Sequence, residues 1–336
     1  MSALSKKKKL YWGRMAALFL RLLYSIFPEV DWQFVYVDDF LWLLRRDTSE
    51  LLATAILATL TAMGMPLAWH KTAMMETNTW LGFVINTPKA MPSLPAKKYL
   101  EISELLKKVE EGRSFLKNDL VSLLGRLQWA VSAAPYCRPL LQPFWSWLKA
   151  MKLSGRPGML VRYIAKLIRQ ALAKPSPSSS PYRSLAPLWA ASDASADPAT
   201  GQAAIGGWFS FDPEPRKDHV WWFMEALSES THPWAFVEGN PQKRIAAIEL
   251  YGSLNLLKFV LNTMQKERHN RIPIPLITDN QSNSLCMLAN RTKRWPGAAI
   301  LMEISMLIHY NQASLAPAFV HRDLNECSSH FASSFR

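Results

Sequence analysis

Three acidic residues in the second half of this 336-residue chain have the surroundings expected of ligands for a divalent cation. Asp193 and Asp279 each follow a short apolar run typical of a strand, and Glu249 lies within an apolar helical pattern. Each carboxylate therefore extends from a core element rather than from a polar loop. Three such carboxylates would hold a pair of Mg²⁺ ions and orient a water for phosphodiester cleavage. Taken singly, the alternative is two aspartates that cap helices and one surface glutamate.

A second acidic motif, Tyr36-Val37-Asp38-Asp39, lies near the start of the chain and is called the YVDD motif. It joins the aromatic and β-branched run 32–37 to the similar run 40–44, which predicts a hairpin with both carboxylates at its tip. Like charges this close together are unfavourable unless a cation neutralises them. Divalent metals that are bound by carboxylates and phosphate oxygens do so, and a solvated Asp-Asp turn is the alternative.

The elements that position these residues follow from hydrophobic periodicity and from proline and glycine punctuation. Within residues 1–95 the pattern predicts a helix over 12–27, the YVDD hairpin, a helix over 48–63 and a strand over 79–85. Four further helices are predicted over 96–111, 117–133, 140–152 and 157–173.

The run 174–187 is rich in proline and serine and predicts a linker. Beyond it, over 188–336, strand-like segments alternate with helices, which predicts an α/β domain with a mixed sheet. The predicted strands are 188–192, 204–211, 219–224, 274–278 and 315–321, and the predicted helices are 243–263, 281–290 and 297–311.

The excess positive charge belongs entirely to the first part of the chain. Residues 1–182 hold 25 Lys/Arg and 12 Asp/Glu, whereas residues 183–336 hold 14 of each. Most of the excess lies on the predicted helices, because 97–174 contains 15 basic and 5 acidic residues. A basic helical region indicates a polyanionic partner, nucleic acid before a membrane surface.

Composition excludes several classes of protein. Hydrophobic residues make up 49% and charged residues 19%, which excludes global disorder, and three dispersed cysteines argue against a disulfide scaffold or a four-cysteine zinc site. The uncharged segment 51–69 approaches a membrane-spanning length, but Gly64 and Pro66 interrupt it, so a buried helix is predicted. We expect an intracellular protein, cytoplasmic or nuclear, with no membrane partner.

The YVDD motif and its flanks resemble the reverse transcriptases of retroelements, and in character DIRS-like or Ty3-like retrotransposons. The resemblance covers about residues 12–150 and implies that Asp38 and Asp39 are part of a polymerase metal site. The other segments that resemble this family are Phe40-Leu41, 64–67, Lys71, 80–83 and 123–128.

The sequence after the linker resembles the ribonuclease H domain that follows the polymerase in retroelement polyproteins, over about 186–333. The matching segments, in the family's order, are Ser192-Asp193-Ala194-Ser195, Gly206-Gly207-Trp208, Glu249 and Thr278-Asp279-Asn280. The resemblance implies that Asp193, Glu249 and Asp279 bind Mg²⁺ or Mn²⁺ and are catalytic. Ser329 stands where the family has a fourth acidic residue, with Asp323 and Glu326 nearby but out of register, which predicts weakened binding of one metal.

The resemblance therefore implies a multidomain chain of α/β and α+β class. A partial reverse-transcriptase palm over 1–95 and a basic helical thumb or connection over 96–173 precede the linker 174–187. An RNase H-like α/β domain with a mixed sheet follows over 188–336. Only 35 residues precede Tyr36, too few for the family's fingers and upstream metal-binding aspartate, so the chain is predicted to be N-terminally truncated.

The implied function is binding of an RNA–DNA hybrid or template-primer nucleic acid, with Mg²⁺- or Mn²⁺-dependent cleavage of the RNA strand. DNA synthesis is not expected from this chain alone, although an upstream polymerase segment on the same or another chain would complete the site. The alternative is a catalytically dead or domesticated fragment that only binds nucleic acid. The residues expected to contact nucleic acid are Tyr36, Lys71, Lys97, Lys98, Lys107, Lys108 and Arg126.

Overall fold

The computed structural model divides the chain into two compact units, Met1–Lys89 and Ala90–Arg336. For residues 3–12, 91, 264–266 and 273 it describes the backbone only. The residues that it describes are 3–30, 32–37, 39–87, 91–173, 189–212, 219–266, 273–311 and 313–321.

The first unit is built from helices and β-hairpins. Its described elements are α1 (Ala3–Ile26), β1 (Trp32–Tyr36), β2 (Asp39–Leu43), α2 (Ser49–Ala62), β3 (Thr77–Trp80) and β4 (Phe83–Asn86). β1 and β2 form the predicted antiparallel hairpin, in which Tyr36 pairs with Asp39. The predicted helices over 12–27 and 48–63 are confirmed, although α1 begins well before residue 12.

The single strand predicted over 79–85 is wrong, because this segment folds into a second hairpin. Trp80 pairs with Phe83 across a two-residue turn, where Leu81 and Gly82 have φ of +51° and +82°. Two consecutive positive φ values are characteristic of type I′ turns, whose twist suits tight hairpins. The sequence concealed this turn, because leucine is an uncommon residue at positive φ.

A small hydrophobic cluster holds the first unit together. It contains Leu23, Phe27 and Val30 from α1 and the following turn, and Ile56 and Leu60 from α2. α2 has 14 residues, which corresponds to roughly 21 Å of helix and is shorter than a bilayer's hydrocarbon core. The uncharged segment 51–69 thus begins as a core helix, as predicted.

The second unit opens with a helical segment. Its described elements are β5 (Met91–Ser93), α3 (Ala96–Glu110), β6 (Phe115–Leu116), α4 (Lys117–Ala130), α5 (Gln142–Ala150), β7 (Ser154–Gly155) and α6 (Met159–Ala173). All four predicted helices are present, and α5 begins later than predicted because a 3₁₀ helix spans Pro135–Leu141. Arg169 on α6 donates two hydrogen bonds, of 2.6 and 3.0 Å, to the Glu110 carboxylate on α3, which ties these helices together.

The remainder of the second unit is a mixed α/β fold, as predicted. The strand order is β10-β9-β8-β11-β12, with β8–β10 antiparallel and β11 parallel to both β8 and β12. Its described elements are β8 (Trp189–Asp197), β9 (Gln202–Ser210), β10 (Trp221–Leu227), α7 (Ile245–Lys266), β11 (Pro273–Thr278), α8 (Gln281–Ala289), α9 (Gly297–Asn311) and β12 (Ser314–Phe319).

The helical segment and the α/β segment share one hydrophobic core. The rings of Tyr136 and His309 stack with centroids 5.0 Å apart, and Arg138 Nη1 donates to the Ala289 carbonyl at 3.2 Å. The predicted linker 174–187 lies outside the described residues, and the predicted domain boundaries stay a prediction.

One stretch of the described residues, Pro241–Thr263, is long and apolar enough to cross a membrane by length and composition alone. It contains most of α7, whose Leu254, Leu257 and Val260 are fully buried in the core of the second unit. This is the behaviour of the core helix of a globular fold.

Candidate acidic site and nucleic-acid interface

The sheet places Asp193 and Asp279 at matching positions on neighbouring parallel strands. Ala191 of β8 pairs with Ile277 of β11, and each aspartate lies two residues further along its own chain segment. Neighbouring strands are about 4.8 Å apart, so the register brings the two aspartates to the same part of the sheet. Both side chains are half-buried.

The structure differs from the sequence prediction in where Asp193 lies. We predicted that it ends a short strand, but β8 continues for four more residues, through to the pairing of Asp197 with Gln202. The small residues 194–196 resemble a loop in sequence. A tight turn at Asp197, whose carboxylate accepts from Ala199 N and Thr200 Oγ1 at 2.8 Å, extends the ladder.

Helix α7 positions Glu249 against β8. At Gly252, an added Cβ would lie 3.5 Å from the Asp193 carbonyl oxygen, so the helix approaches the strand closely here. Ser253 Oγ lies 2.9 Å from Ser192 Oγ, and Ser253 Oγ also donates to the Glu249 carbonyl at 3.3 Å. Glu249 therefore lies one helical turn before the point at which α7 touches β8.

The Glu249 carboxylate is bound by two asparagine amides of the segment that begins α8. Asn280 Nδ2 donates to Glu249 Oε2, and Asn283 Nδ2 donates to the same oxygen at 3.2 Å. Asn283 Nδ2 also donates to the Ala246 carbonyl at 2.8 Å. Asn280 Oδ1 caps α8 by accepting from Asn283 N at 3.0 Å. We call Asn280 and Asn283 the amide clamp.

The sequence analysis missed the amide clamp. Asn280 carried a recognisable signal, because asparagine before a helical pattern is a common N-cap. Asn283 carried a weaker one, as a polar residue in the helical run 281–290. Its burial, with 5% exposed, could not be inferred without the packing of α7 on α8.

As they stand, the acidic side chains do not form a cation-holding group. No cluster of three or more His, Cys, Asp or Glu side chains suited to a metal ion occurs among the residues that the structure describes. Glu249 Oε2 is bound to the amide clamp. Asp193 lies on the sheet face opposite Ser192, which is the side chain that contacts α7. The Mg²⁺ or Mn²⁺ site stays a prediction, and Asp323, Glu326 and Ser329 lie outside the described residues.

The tip of the YVDD hairpin is exposed. Tyr36 is 58% exposed and Asp39, the first residue of β2, is also exposed, while Asp38 lies outside the described residues. Val37 occupies the turn with φ of +57°, which is unusual for a β-branched side chain. The roles predicted for Asp38 and Asp39 in a polymerase metal site stay predictions.

The predicted phosphate contacts on α3 and α4 are exposed cations. Lys98 and Arg126 share Glu101, at 3.7 and 3.5 Å, whereas Lys107 and Lys108 make no ion pair with any residue that the structure describes. Lys97 is exposed on the first turn of the same helix. In the first unit, Lys71 ends an exposed 3₁₀ helix at Trp69–Lys71.

A second basic surface, missed in the sequence analysis, lies between α8 and α9. Arg291, Lys293 and Arg294 are exposed, and Trp295 beside them is 64% exposed. The Trp295 carbonyl accepts from Arg244 Nη1 at 2.9 Å, just before α7 begins and about one and a half turns from Glu249. The cluster 291–295, which we call the basic loop, thus adjoins the acidic site. Its signal was three cations and a tryptophan within five residues.

Comparisons with known proteins do not assign this chain to a family. No family model matches the chain, and no curated protein matches it. Among solved structures it is similar to a foamy viral protease-reverse transcriptase dRH in complex with double-stranded DNA, at 16% identity and a TM-score of 0.39. That match covers 92% of this chain and 50% of the viral one.

Two further structures of the foamy viral protease-reverse transcriptase show the same level of similarity. One is in complex with double-stranded DNA, at 15% identity, 92% and 59% coverage and a TM-score of 0.38. The other is in complex with an RNA/DNA hybrid, at 14% identity, 92% and 38% coverage and a TM-score of 0.35. The matches cover between 38% and 59% of the viral chains, so this chain spans about half their length. TM-scores below 0.5 do not establish a shared activity, and the DIRS-like or Ty3-like class stays a prediction.

Proposed function

We propose that this chain binds RNA–DNA hybrid or template-primer nucleic acid, as a reverse transcriptase/RNase H-type fragment of a retroelement. The observation that carries the proposal is the set of exposed cations on one unit, formed by α3 and the basic loop. The class of nucleic acid is inferred from a resemblance to that family. The resemblance lies in the YVDD motif and in the segments around Asp193, Glu249 and Asp279.

The electrostatic basis of this binding is release of counterions from the phosphate backbone. Each phosphate contact contributes about 0.9 to the slope of log affinity against log salt for duplex DNA. Lys107 and Lys108 are suited to such contacts, because no described carboxylate competes for them. Lys98 and Arg126 are already partly neutralised by Glu101, so we expect smaller effects there.

Fluorescence anisotropy with a labelled RNA–DNA hybrid, in EDTA and between about 50 and 200 mM salt, tests this proposal. We expect Lys107→Gln to weaken binding and to lower the salt slope by about 1. Lys258→Gln is the matched control, because Lys258 lies in the same unit, is partly exposed and is paired with Glu303 at 2.6 Å. Absence of hybrid binding, or binding that does not weaken with salt, would contradict the proposal.

A second candidate function is Mg²⁺- or Mn²⁺-dependent hydrolysis of the RNA strand of the hybrid. The specific observation in its favour is the matching register of Asp193 and Asp279 on neighbouring strands. Glu249 lies close to them, because it accepts a hydrogen bond from Asn280, the residue after Asp279. We expect Asp193→Asn to abolish RNA cleavage while leaving hybrid binding in EDTA intact. Cleavage that survives Asp193→Asn would contradict this second proposal, and hybrid binding by the wild type without cleavage would indicate a non-catalytic binder.

A further inference from the structure

Helix α6 has an outward face on which an aromatic side chain lies between an apolar and a cationic one. Met159, Tyr163 and Lys166 are spaced four and three residues apart, which places them along one side of the helix. Tyr163 is 58% exposed, Met159 is 84% exposed, and Lys166 is exposed as well. The opposite side of α6 is buried in the core of the second unit. We call Met159, Tyr163 and Lys166 the α6 face.

Two arginines attach α6 to the end of α3. Arg162 Nε donates to the Glu110 carbonyl at 2.8 Å, and Arg169 donates two hydrogen bonds to the Glu110 carboxylate. The α6 face lies beside these contacts along the helix, so it adjoins the last turn of α3. That turn carries Lys107 and Lys108, which are exposed cations of the proposed hybrid-binding surface.

The charges at this junction favour an anionic partner. Its two carboxylates are already paired, Glu110 with Arg169 and Glu111 with Arg113 at 2.7 Å. Lys166, like the two lysines in the last turn of α3, makes no ion pair with any residue that the structure describes. A nucleic acid strand with unstacked bases fits this surface, because its phosphates suit the cations and its bases have flat apolar faces that suit an exposed tyrosine.

We propose that the α6 face binds a single-stranded segment that continues from one end of the RNA–DNA hybrid. Tyr163 stacks on an unpaired base and Lys166 contacts a phosphate next to it, while the duplex lies on α3. This inference rests on the nucleic-acid binding proposed above and adds a preference among substrates. Bases within the duplex are stacked on one another and offer no face to Tyr163, so only a hybrid with an overhang gains this contact.

Fluorescence anisotropy of the full chain in EDTA, with labelled hybrids that differ only at their ends, tests the inference. One hybrid is blunt, and the others carry a 5′ or a 3′ DNA overhang of about eight nucleotides, which is within the length that single-strand sites span. We expect the wild type to bind one of the overhang hybrids about tenfold more tightly than the blunt one, which is the contribution of one stacked base.

The variants separate stacking from general electrostatic attraction. Tyr163→Ala should abolish the preference for the overhang, whereas Tyr163→Phe should retain it, because phenylalanine keeps the ring. Tyr310→Ala is the matched control, because Tyr310 is 62% exposed in the same unit but lies on α9, which contains no lysine or arginine. All three variants should bind the blunt hybrid as the wild type does.

The outcomes distinguish this inference from the proposed function. Equal affinity of the wild type for blunt and overhang hybrids, or a preference that survives Tyr163→Ala or is lost in Tyr310→Ala, would overturn the inference and leave hybrid binding intact. Absence of binding to any hybrid would overturn both. Sedimentation velocity tests another occupant, because self-association that Tyr163→Ala abolishes would assign the α6 face to a second copy of the chain and overturn the inference.

Discussion

Two adjacent glycines in β9 provide a sharp test of the sheet packing, because the structure predicts opposite outcomes for them. A Cβ added at Gly207 would lie 2.7 Å from Phe223 Cε1 and 3.2 Å from the Ala191 carbonyl oxygen. At Gly206 the nearest atom, the Phe223 carbonyl oxygen, would be 3.6 Å away, an ordinary contact. Phe223 is paired directly across from Gly207 on β10 and packs against Phe259.

The expected magnitude follows from these distances. Overpacking a filled core by one methyl group costs about 1–3 kcal/mol, and the Phe223 ring cannot swing aside without losing its contact with Phe259. Replacing glycine by alanine recovers about 0.4–1 kcal/mol by restricting the unfolded chain. Gly207→Ala should therefore destabilise the second unit by about 1–2 kcal/mol, whereas Gly206→Ala should be neutral or slightly stabilising.

Hydrogen exchange of the β8 and β9 amides under native conditions is the assay, because it reports on the second unit itself. The two variants should differ by about 2 kcal/mol, which is about thirtyfold in the opening equilibrium. Equal protection of the β9 amides in Gly206→Ala and Gly207→Ala would refute the packing of Phe223 over Gly207.

Three further predictions concern other parts of the chain. Burial raises the pKa of the Cys137 thiol, so native Cys137 should resist iodoacetamide while half-buried Cys286 reacts; equal labelling of both in a peptide map would disprove this. Arg169→Leu should lower the free energy of unfolding by about 1 kcal/mol, because Arg169 donates two hydrogen bonds to the half-buried Glu110 carboxylate, which raise the pKa of Arg169. Urea unfolding identical to that of the wild type would count against this prediction. Leu81→Asn should stabilise the β3–β4 hairpin by about 0.5–1 kcal/mol, since asparagine tolerates the positive φ of this position. Faster hydrogen exchange of the β3 amides than in the wild type would contradict the turn assignment.

Local signals predicted most of the elements. Alternating aromatic and β-branched residues on both sides of Asp38-Asp39 gave the first hairpin correctly, and proline and glycine punctuation gave the helix order. The strand over 79–85 failed because its turn contains Leu81, a residue that sequence patterns place within strands. β8 was predicted too short because alanine and serine at 194–196 have low strand propensity, and the ladder with β9 overrides it.

The sequence indicated which elements carry Asp193, Glu249 and Asp279 but not how their side chains are arranged, and their role as a site stays a prediction. The apolar runs before Asp193 and Asp279 indicated strands, and their matching register on β8 and β11 is consistent with that reasoning. The orientation of Glu249 depends on amides 31 and 34 residues away, and no local pattern encodes such a contact. For the same reason, the approach of Trp295 to Arg244, separated by 51 residues, could not be predicted.

The packing of the helical segment changes the meaning of the charge asymmetry. A basic region and a neutral region joined by a linker suggest two independently moving parts. In the structure, however, Tyr136 stacks on His309 and Arg138 binds the last turn of α8, so the cations of α3 and the acidic site belong to one packed unit. A nucleic acid held by α3 would then be presented to the acidic site at a fixed distance, rather than at the range of distances that a flexible linker allows. Inserting glycine and serine residues within 174–187 should accordingly leave the affinity for the RNA–DNA hybrid unchanged. Tyr136→Ala removes the aromatic contact with His309 and should weaken the packing of the helical segment against the α/β segment.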